Sequence, residues 1–125
     1  MKEIWFVDDD EEMIGAIRLM LKLLDCETVA FFNARSTVQA LMDGRRPDLI
    51  LLDINMPEVT GLDLLEFLRR EQKTRSLPVV MISTEASDVM VDRASELGAD
   101  AYVSKPVTLE ELDRAMKEAF QKRKK

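Results

Sequence analysis

Apolar runs in this chain stop repeatedly on residues that can do chemistry. Ile4–Val7 stops at Asp8-Asp9-Asp10, and Leu49-Ile50-Leu51-Leu52 stops at Asp53. Two later runs stop at Ser83-Thr84-Glu85 and at Ser104-Lys105-Pro106. A short apolar run bounded by turn residues reads as a strand buried on both faces. In an open parallel sheet, ligands bind beyond the carboxyl ends of the strands. If these strands lie side by side, Asp8, Asp9, Asp53, Ser83 and Lys105 share one edge, and Asp53, before the loop with Pro57 and Gly61, is its reactive residue.

Three carboxylates so placed repel one another by on the order of 4 kcal/mol per pair at ~4 Å and an effective dielectric of about 20. Lys105 offsets part of this, and a divalent cation is the natural source of the rest. The chain has no histidine, and its one cysteine, Cys26, lies elsewhere. An all-oxygen donor set selects Mg²⁺, Mn²⁺ or Ca²⁺, and few protein ligands in an open site favour Mg²⁺. A carboxylate, a hard cation, a lysine and a hydroxyl are the parts needed for phosphoryl transfer. Asp53 would be the nucleophile, with Lys105, Ser83 and the metal holding the phosphoryl oxygens. Local structure explains some of these residues without chemistry. Asp10 is better read as a helix cap than as a site residue. Ser83 alone would be a turn serine, Lys105 alone a loop lysine, and Tyr102 by default a packing residue in a strand.

The elements that must carry these residues alternate. Strands are expected at 4–7, 27–32, 49–53, 79–82 and 101–104. A first helix follows Asp10 to about Leu24, with Met13, Ile17, Met20, Leu21 and Leu24 on its apolar face. Asn33 caps a second through Met42, ended by Gly44. Thr60 and Asp63 have capping-box spacing for a third, which turns Leu62, Leu65 and Leu68 inward and ends near Arg70. A fourth runs from Asp88 to Leu97 before Gly98. Thr108 and Glu111 open a fifth, with Leu109, Leu112, Met116 and Phe120 apolar. The polar character of 27–32 places that strand near an edge. Five strand–helix alternations predict an α/β domain, a five-stranded parallel sheet with helices on both faces and right-handed crossovers.

Composition sets the bounds. At 125 residues, 46% apolar and 34% charged, the chain is one ordinary globular domain. Residues 1–122 form it, and 123–125 are a basic tail or the start of a linker. One cysteine cannot form an internal disulfide, which points to a reducing, cytoplasmic setting. No signal peptide or membrane span is visible. A net charge of −6 argues against general nucleic-acid binding, and the basic end suits a helix C-terminus.

In these residues the sequence resembles the response-regulator receiver domain of two-component signalling, of chemotaxis type. The motifs are Val-Asp-Asp-Asp at 7–10, Leu-Leu-Asp-Ile-Asn-Met-Pro at 51–57 with Gly61, Ile-Ser-Thr-Glu-Ala at 82–86 and Gly-Ala-Asp-Ala-Tyr-Val-Ser-Lys-Pro at 98–106. The likeness covers about residues 3–120. It implies a flavodoxin-like sheet of order 2-1-3-4-5. It implies phosphorylation of Asp53 from a phosphohistidine on a histidine kinase or histidine phosphotransfer protein, the domain catalysing only its own phosphorylation and dephosphorylation. Asp9, Asp53 and the Asn55 carbonyl would ligate Mg²⁺, with Asp8 acting through water. Ser83 matches the switch hydroxyl, Tyr102 the switch aromatic, Lys105 the phosphate-facing lysine, and Pro106 the residue the family holds in a cis peptide. The phosphoryl group would draw Ser83 toward it and turn Tyr102 inward, changing the surface of helix four, strand five and helix five. The first helix and the loop after strand five would dock the donor. The resemblance implies as output an unidentified protein or an output domain outside this sequence, no direct binding of nucleic acid or membrane, and a monomer or a homodimer promoted by phosphorylation through helices four and five. Thr84 stands where the family usually has a small residue, and Val107 where an aromatic is common. Asn55 and Glu85 occupy positions that modulate dephosphorylation, and their identities imply a short-lived phosphoryl state.

Two other functions use the same residues. A phosphohydrolase would use Asp8-x-Asp10 as a haloacid-dehalogenase-like motif, although Glu11-Glu12 follows where that motif wants an apolar residue and a hydroxyl. A pure interaction module would keep the fold and lose one of the acids or Lys105, and none is lost. Fold alone does not decide among them.

Overall fold

The computed structural model describes residues 1–85 and 87–124. Five strands alternate with five helices: β1 (Lys2–Val7), α1 (Glu11–Leu23), β2 (Cys26–Phe31), α2 (Ala34–Met42), β3 (Leu49–Asp53), α3 (Gly61–Arg70), β4 (Val79–Ser83), α4 (Asp88–Glu96), β5 (Ala101–Ser104) and α5 (Leu109–Arg123). All pairings are parallel, in the order β2-β1-β3-β4-β5. The polar strand is at the edge, as its composition predicts, although it runs one residue earlier at each end than expected. Phe32 falls outside it and stands half in solvent.

Side chains of one strand alternate between two cores. Trp5, Val7, Ile50, Leu52, Val79 and Met81 pack with α2, α3 and α4. Ile4, Phe6, Leu49, Leu51, Val80 and Ile82 pack with α1 and α5. That is why β1, β3 and β4 carry unbroken apolar runs. Trp5 is wholly buried, its ring centroid 4.7 Å from that of Phe31, with the Arg45 guanidinium 5.3 Å above it.

The helix boundaries follow the expected caps. Asp10 Oδ1 accepts from the Glu12 and Met13 N–H groups. Asn33 accepts from Ser36 N–H, Thr60 and Asp63 form a reciprocal capping box, and Thr108 accepts from Glu111 N–H. Gly44 and Gly98 take positive φ at the ends of α2 and α4, where a side chain would be strained. Three apolar faces differ in detail. α1 buries Ile14 with Ile17 and Leu21, leaving Met13, Met20 and Leu24 half-buried. α3 buries Leu64, Leu65 and Leu68, with Leu62 at the margin. α5 buries Leu112, Ala115, Met116 and Ala119, while Leu109 stays exposed and Phe120 is half-buried. Against a flat sheet, small alanines reach the interface as readily as large residues.

Among the described residues, no helix is long and apolar enough to cross a membrane. At the edge away from the strand ends, Asp100 (4% exposed) binds Arg69 at 3.0 Å, Arg123 at 2.8 Å and the Val79 N–H at 2.9 Å. This clasp ties α3, α5 and β4 to the start of β5.

Candidate functional site

The parallel register brings the predicted residues together at one edge. Val7 pairs with Leu52, Asp53 with Ile82, and Ser83 with Ser104. The residues that follow Val7 and Ser104, namely Asp8 and Lys105, therefore emerge beside Asp53 and Ser83. The Asp8 N–H donates to the Phe31 carbonyl at 3.0 Å and the Lys105 N–H to the Ser83 carbonyl at 2.8 Å, extending the sheet by one residue on each side.

Asp8 is wholly buried and Asp53 is 2% exposed, while Asp9 faces solvent. Carboxylate oxygens of the three lie within 4.8 Å of one another. Lys105 Nζ stands 3.3 Å from Asp53 Oδ1 and 3.7 Å from Asp8 Oδ2. These are ion-pair approaches without hydrogen-bond alignment. Both oxygens are buried without a hydrogen-bond donor among the described residues. Asp8 Oδ1 accepts from the Asp10 N–H at 3.0 Å. Burial pushes the Asp8 carboxyl up from 3.8 to about 7, against the Asp10 hydrogen bond; Asp53 adds to the rise and Lys105 opposes it.

Two buried, undonated carboxylate oxygens beside a third acid fit a hard divalent cation, since each lacks a partner that a metal would supply. Asp10 does not join them, because its carboxylate is committed to the start of α1.

Gly61 makes the loop after Asp53 possible. Its N–H donates to the Ile54 carbonyl at 2.9 Å. A Cβ there would lie 2.9 Å from both the Asp53 carbonyl carbon and Ile54 Cα, and closer still to the Asp53 carbonyl oxygen. The sequence marks Gly61 only as a loop glycine; its close approach to the Asp53 backbone has no local signal. Asn55 is exposed at the head of this loop.

On the other side of Asp53, Ser83 is wholly buried and its Oγ accepts from the Glu85 N–H at 3.0 Å. The Tyr102 hydroxyl donates to the Glu85 carbonyl. Tyr102 is half-buried, and burial raises its phenol. Sequence reasoning has this ring turning inward on phosphorylation; here it already bonds to the Ser83–Glu85 loop. Thr84 and Glu85 are exposed, Val107 is buried, and the Lys105–Pro106 peptide is cis, as the resemblance implies. Ala86, the last residue of the 82–86 motif, lies outside the described residues, as does Lys125 of the tail.

The sequence profile described as "Response regulator receiver domain" matches residues 4–117. The chain belongs to the response regulator receiver domain family. It is similar to the polar-differentiation response regulator DivK of Brucella ovis and of Brucella abortus, 33% identical over 110 residues, covering 86% of this chain and 87% of each relative. Among solved structures, the signal receiver domain of a signal transduction histidine kinase from Syntrophus aciditrophicus superposes with a TM-score of 0.87 at 28% identity, over 100% of this chain and 94% of that one. The fold is also that of the Vibrio cholerae chemotaxis protein CheY4, with a TM-score of 0.84 at 24% identity, over 95% of this chain and 98% of that one. This receiver domain is a signalling module of two-component systems.

Proposed function

We propose that this receiver accepts a phosphoryl group on Asp53 from a phosphohistidine of a histidine kinase or phosphotransfer protein, in a Mg²⁺-dependent reaction. The observation that carries this is the Asp53 carboxylate: buried, within 4.8 Å of two other acids and 3.3 Å from a lysine. An Asp53 oxygen attacks phosphorus, the P–N bond to the donor breaks, and the imidazole leaves with its electron pair, taking a proton from solvent. Lys105 neutralises charge on the phosphoryl oxygens, and the Ser83 hydroxyl turns from Glu85 to donate to one of them. Asp9, Asp53 and the Asn55 carbonyl would hold the cation, and Asp8 would act on it through water. Bound there, Mg²⁺ (or Mn²⁺) supplies charge neutralisation for the transferring group.

The phosphoryl group adds about −1.5 to −2 charges. It competes with Glu85 for Ser83 and so acts on the loop that also holds Tyr102, biasing the α4–β5–α5 face toward an output partner or output domain. Gly15, Ala16, Leu19 and Leu23 form an exposed stripe on α1, which supports donor docking there. Asn55 and Glu85 at the mouth support rapid loss of the phosphoryl group, and Thr84 narrows the approach. The working unit is residues 1–122, with 123–125 a tail or linker start, in a cytoplasmic setting. The commitment of Asp10 to its cap disfavours the phosphohydrolase reading.

Intact mass after incubation with acetyl phosphate tests the proposal. One phosphoryl adduct is expected with Mg²⁺, none with chelator and none in Asp53→Asn. No adduct on the native chain, together with no binding of beryllofluoride, would overturn it in favour of an interaction module.

A further inference from the structure

Two adjoining cavities lie along α2 and α3, outside the acidic site and away from the α4–β5–α5 face; the one between the helices is mainly apolar and the one at their N-terminal ends is mixed. The mixed cavity has a volume of about 280 Å³ and the apolar one about 350 Å³, and they share Ala34, Arg35 and Val59. Val38, Leu64 and Phe67 contribute to the floor of the apolar one. Phe32, Met42 and Val59 stand along them 50%, 43% and 43% exposed. These three are among the few large apolar side chains the fold leaves in water, and they are gathered on one face.

The charges on this face have a particular arrangement. Arg35 lines both cavities, and Glu58 lines the first and Asp63 the second. Among the described residues, neither Arg35 nor Glu58 takes part in an ion pair, and neither side chain makes a hydrogen bond. The cation belongs to α2, and the acids to the β3–α3 loop and the start of α3. Arg35 and Glu58 line the same cavity with opposite charges, so this face is self-complementary: a two-fold axis lying between them would set each Arg35 against the other copy's Glu58. A foreign helix would need its own matching charges, whereas a second copy carries them already.

We infer that the α2–α3 face is a homodimer interface, closed by apolar packing around Val59 and Phe32 and by reciprocal Arg35–Glu58 pairs. Seven residues line one cavity and nine the other, with three in common. A stable interface uses about 20–30 residues a side, so the dimer is weak and concentration-dependent.

Sedimentation velocity on the native chain, from micromolar to near-millimolar concentration, tests this with two charge reversals. The native chain is expected to shift from monomer to dimer as concentration rises. Arg35→Glu alone, or Glu58→Lys alone, places like charges against each other twice and weakens the dimer by about tenfold or more. An equimolar mixture of the two variants restores both pairs in a heterodimer and is expected to associate at least as well as the native chain. Trp5 fluorescence and circular dichroism establish that both variants are folded. A native chain that stays monomeric throughout overturns the proposal and leaves the face to a heterologous partner. A dimer indifferent to both reversals, or a mixture that fails to re-associate, overturns it in favour of another face. None of these readouts requires phosphorylation, so they stand apart from the test on Asp53.

Discussion

Replacing Asp8 by Asn should make the metal-free protein more stable, although Asp8 is wholly buried. In most buried polar positions a substitution costs stability. Here the native residue is a carboxylate with one oxygen undonated, beside Asp53 and sharing one lysine with it. Its pKa rises from 3.8 in the free state to about 7 in the fold. The folded protein therefore holds this proton more tightly than the unfolded chain does. The stability that the proton confers is fully present below about pH 4 and is lost as pH rises through about 7. Above about pH 8 the ionised group carries a penalty of a few kcal/mol, and at pH 5, between the two pKa values, a smaller one. Asn removes the charge and keeps an oxygen for the Asp10 N–H. Water at the exposed Asp9 side screens the penalty, so about 2 kcal/mol of net stabilisation is expected at pH 8, or roughly 8 °C in Tm.

Urea unfolding followed by Trp5 fluorescence, in chelator at pH 8 and pH 5, reads this directly, because Trp5 moves from a dry core into water. Groups that titrate alike in both proteins cancel in the difference. The gain should shrink markedly at pH 5. It should close or reverse with Mg²⁺ at about 100 times its Kd, where the native protein gains about 2.7 kcal/mol and the variant little. A variant less stable than the native chain at pH 8 in chelator, or a difference independent of both pH and Mg²⁺, would refute the claim that these carboxylates are held together against their own repulsion.

Three further outcomes follow from the same geometry. Gly61→Ala drives a methyl group into the Asp53 backbone and should cost about 3 kcal/mol by urea denaturation; the acetyl phosphate adduct should fall even where the variant is folded, and normal stability would show that the loop has room. Lys105→Met removes the cation that faces Asp8 and Asp53, so Mg²⁺ should bind severalfold more tightly by calorimetry while the adduct yield drops; weaker Mg²⁺ binding would mean that Lys105 orders the site rather than competing for it. Asp100→Ala leaves Arg69, whose guanidinium burial lowers to about 10, and Arg123 without their carboxylate. A loss of about 3 kcal/mol is expected, with the adduct preserved, and a loss under about 1 kcal/mol would show that the carbonyls around the two arginines suffice.

How much of this was legible depended on the range of each interaction. The strands, the caps and the acidic edge are legible because their signals are local: a run such as Leu49–Leu52 must be covered on both faces, and Asp10, Asn33, Thr60 and Thr108 bond within three residues of themselves. The convergence of Asp8, Asp53, Ser83 and Lys105 is legible for a second reason, since a parallel sheet puts all its carboxyl ends on one side. What joins distant segments is not. Nothing near Asp100 announces that Arg69 and Arg123 will close on it, and nothing near Arg35 announces Glu58 across a groove. Ile14 and Leu64 join the buried faces of α1 and α3 because a helix lying on a sheet buries a broader stripe than its apolar periodicity alone marks.

Tyr102 shows where local reading and geometry divide. In sequence it is an aromatic in a strand, for which packing is a sufficient explanation. In the fold its hydroxyl reaches the Glu85 carbonyl while the Glu85 N–H holds Ser83 Oγ, so one peptide loop connects the ring to the hydroxyl beside Asp53. Glu85 thus carries both contacts, through its N–H to Ser83 Oγ and through its carbonyl to the Tyr102 hydroxyl. Ring packing and the hydroxyl bond are therefore two separable contributions of Tyr102 to this loop. Substituting Tyr102 by Phe, which removes the hydroxyl and keeps the ring, separates the two contributions: Ser83 chemistry at Asp53 should survive, and the response of the α4–β5–α5 face should weaken.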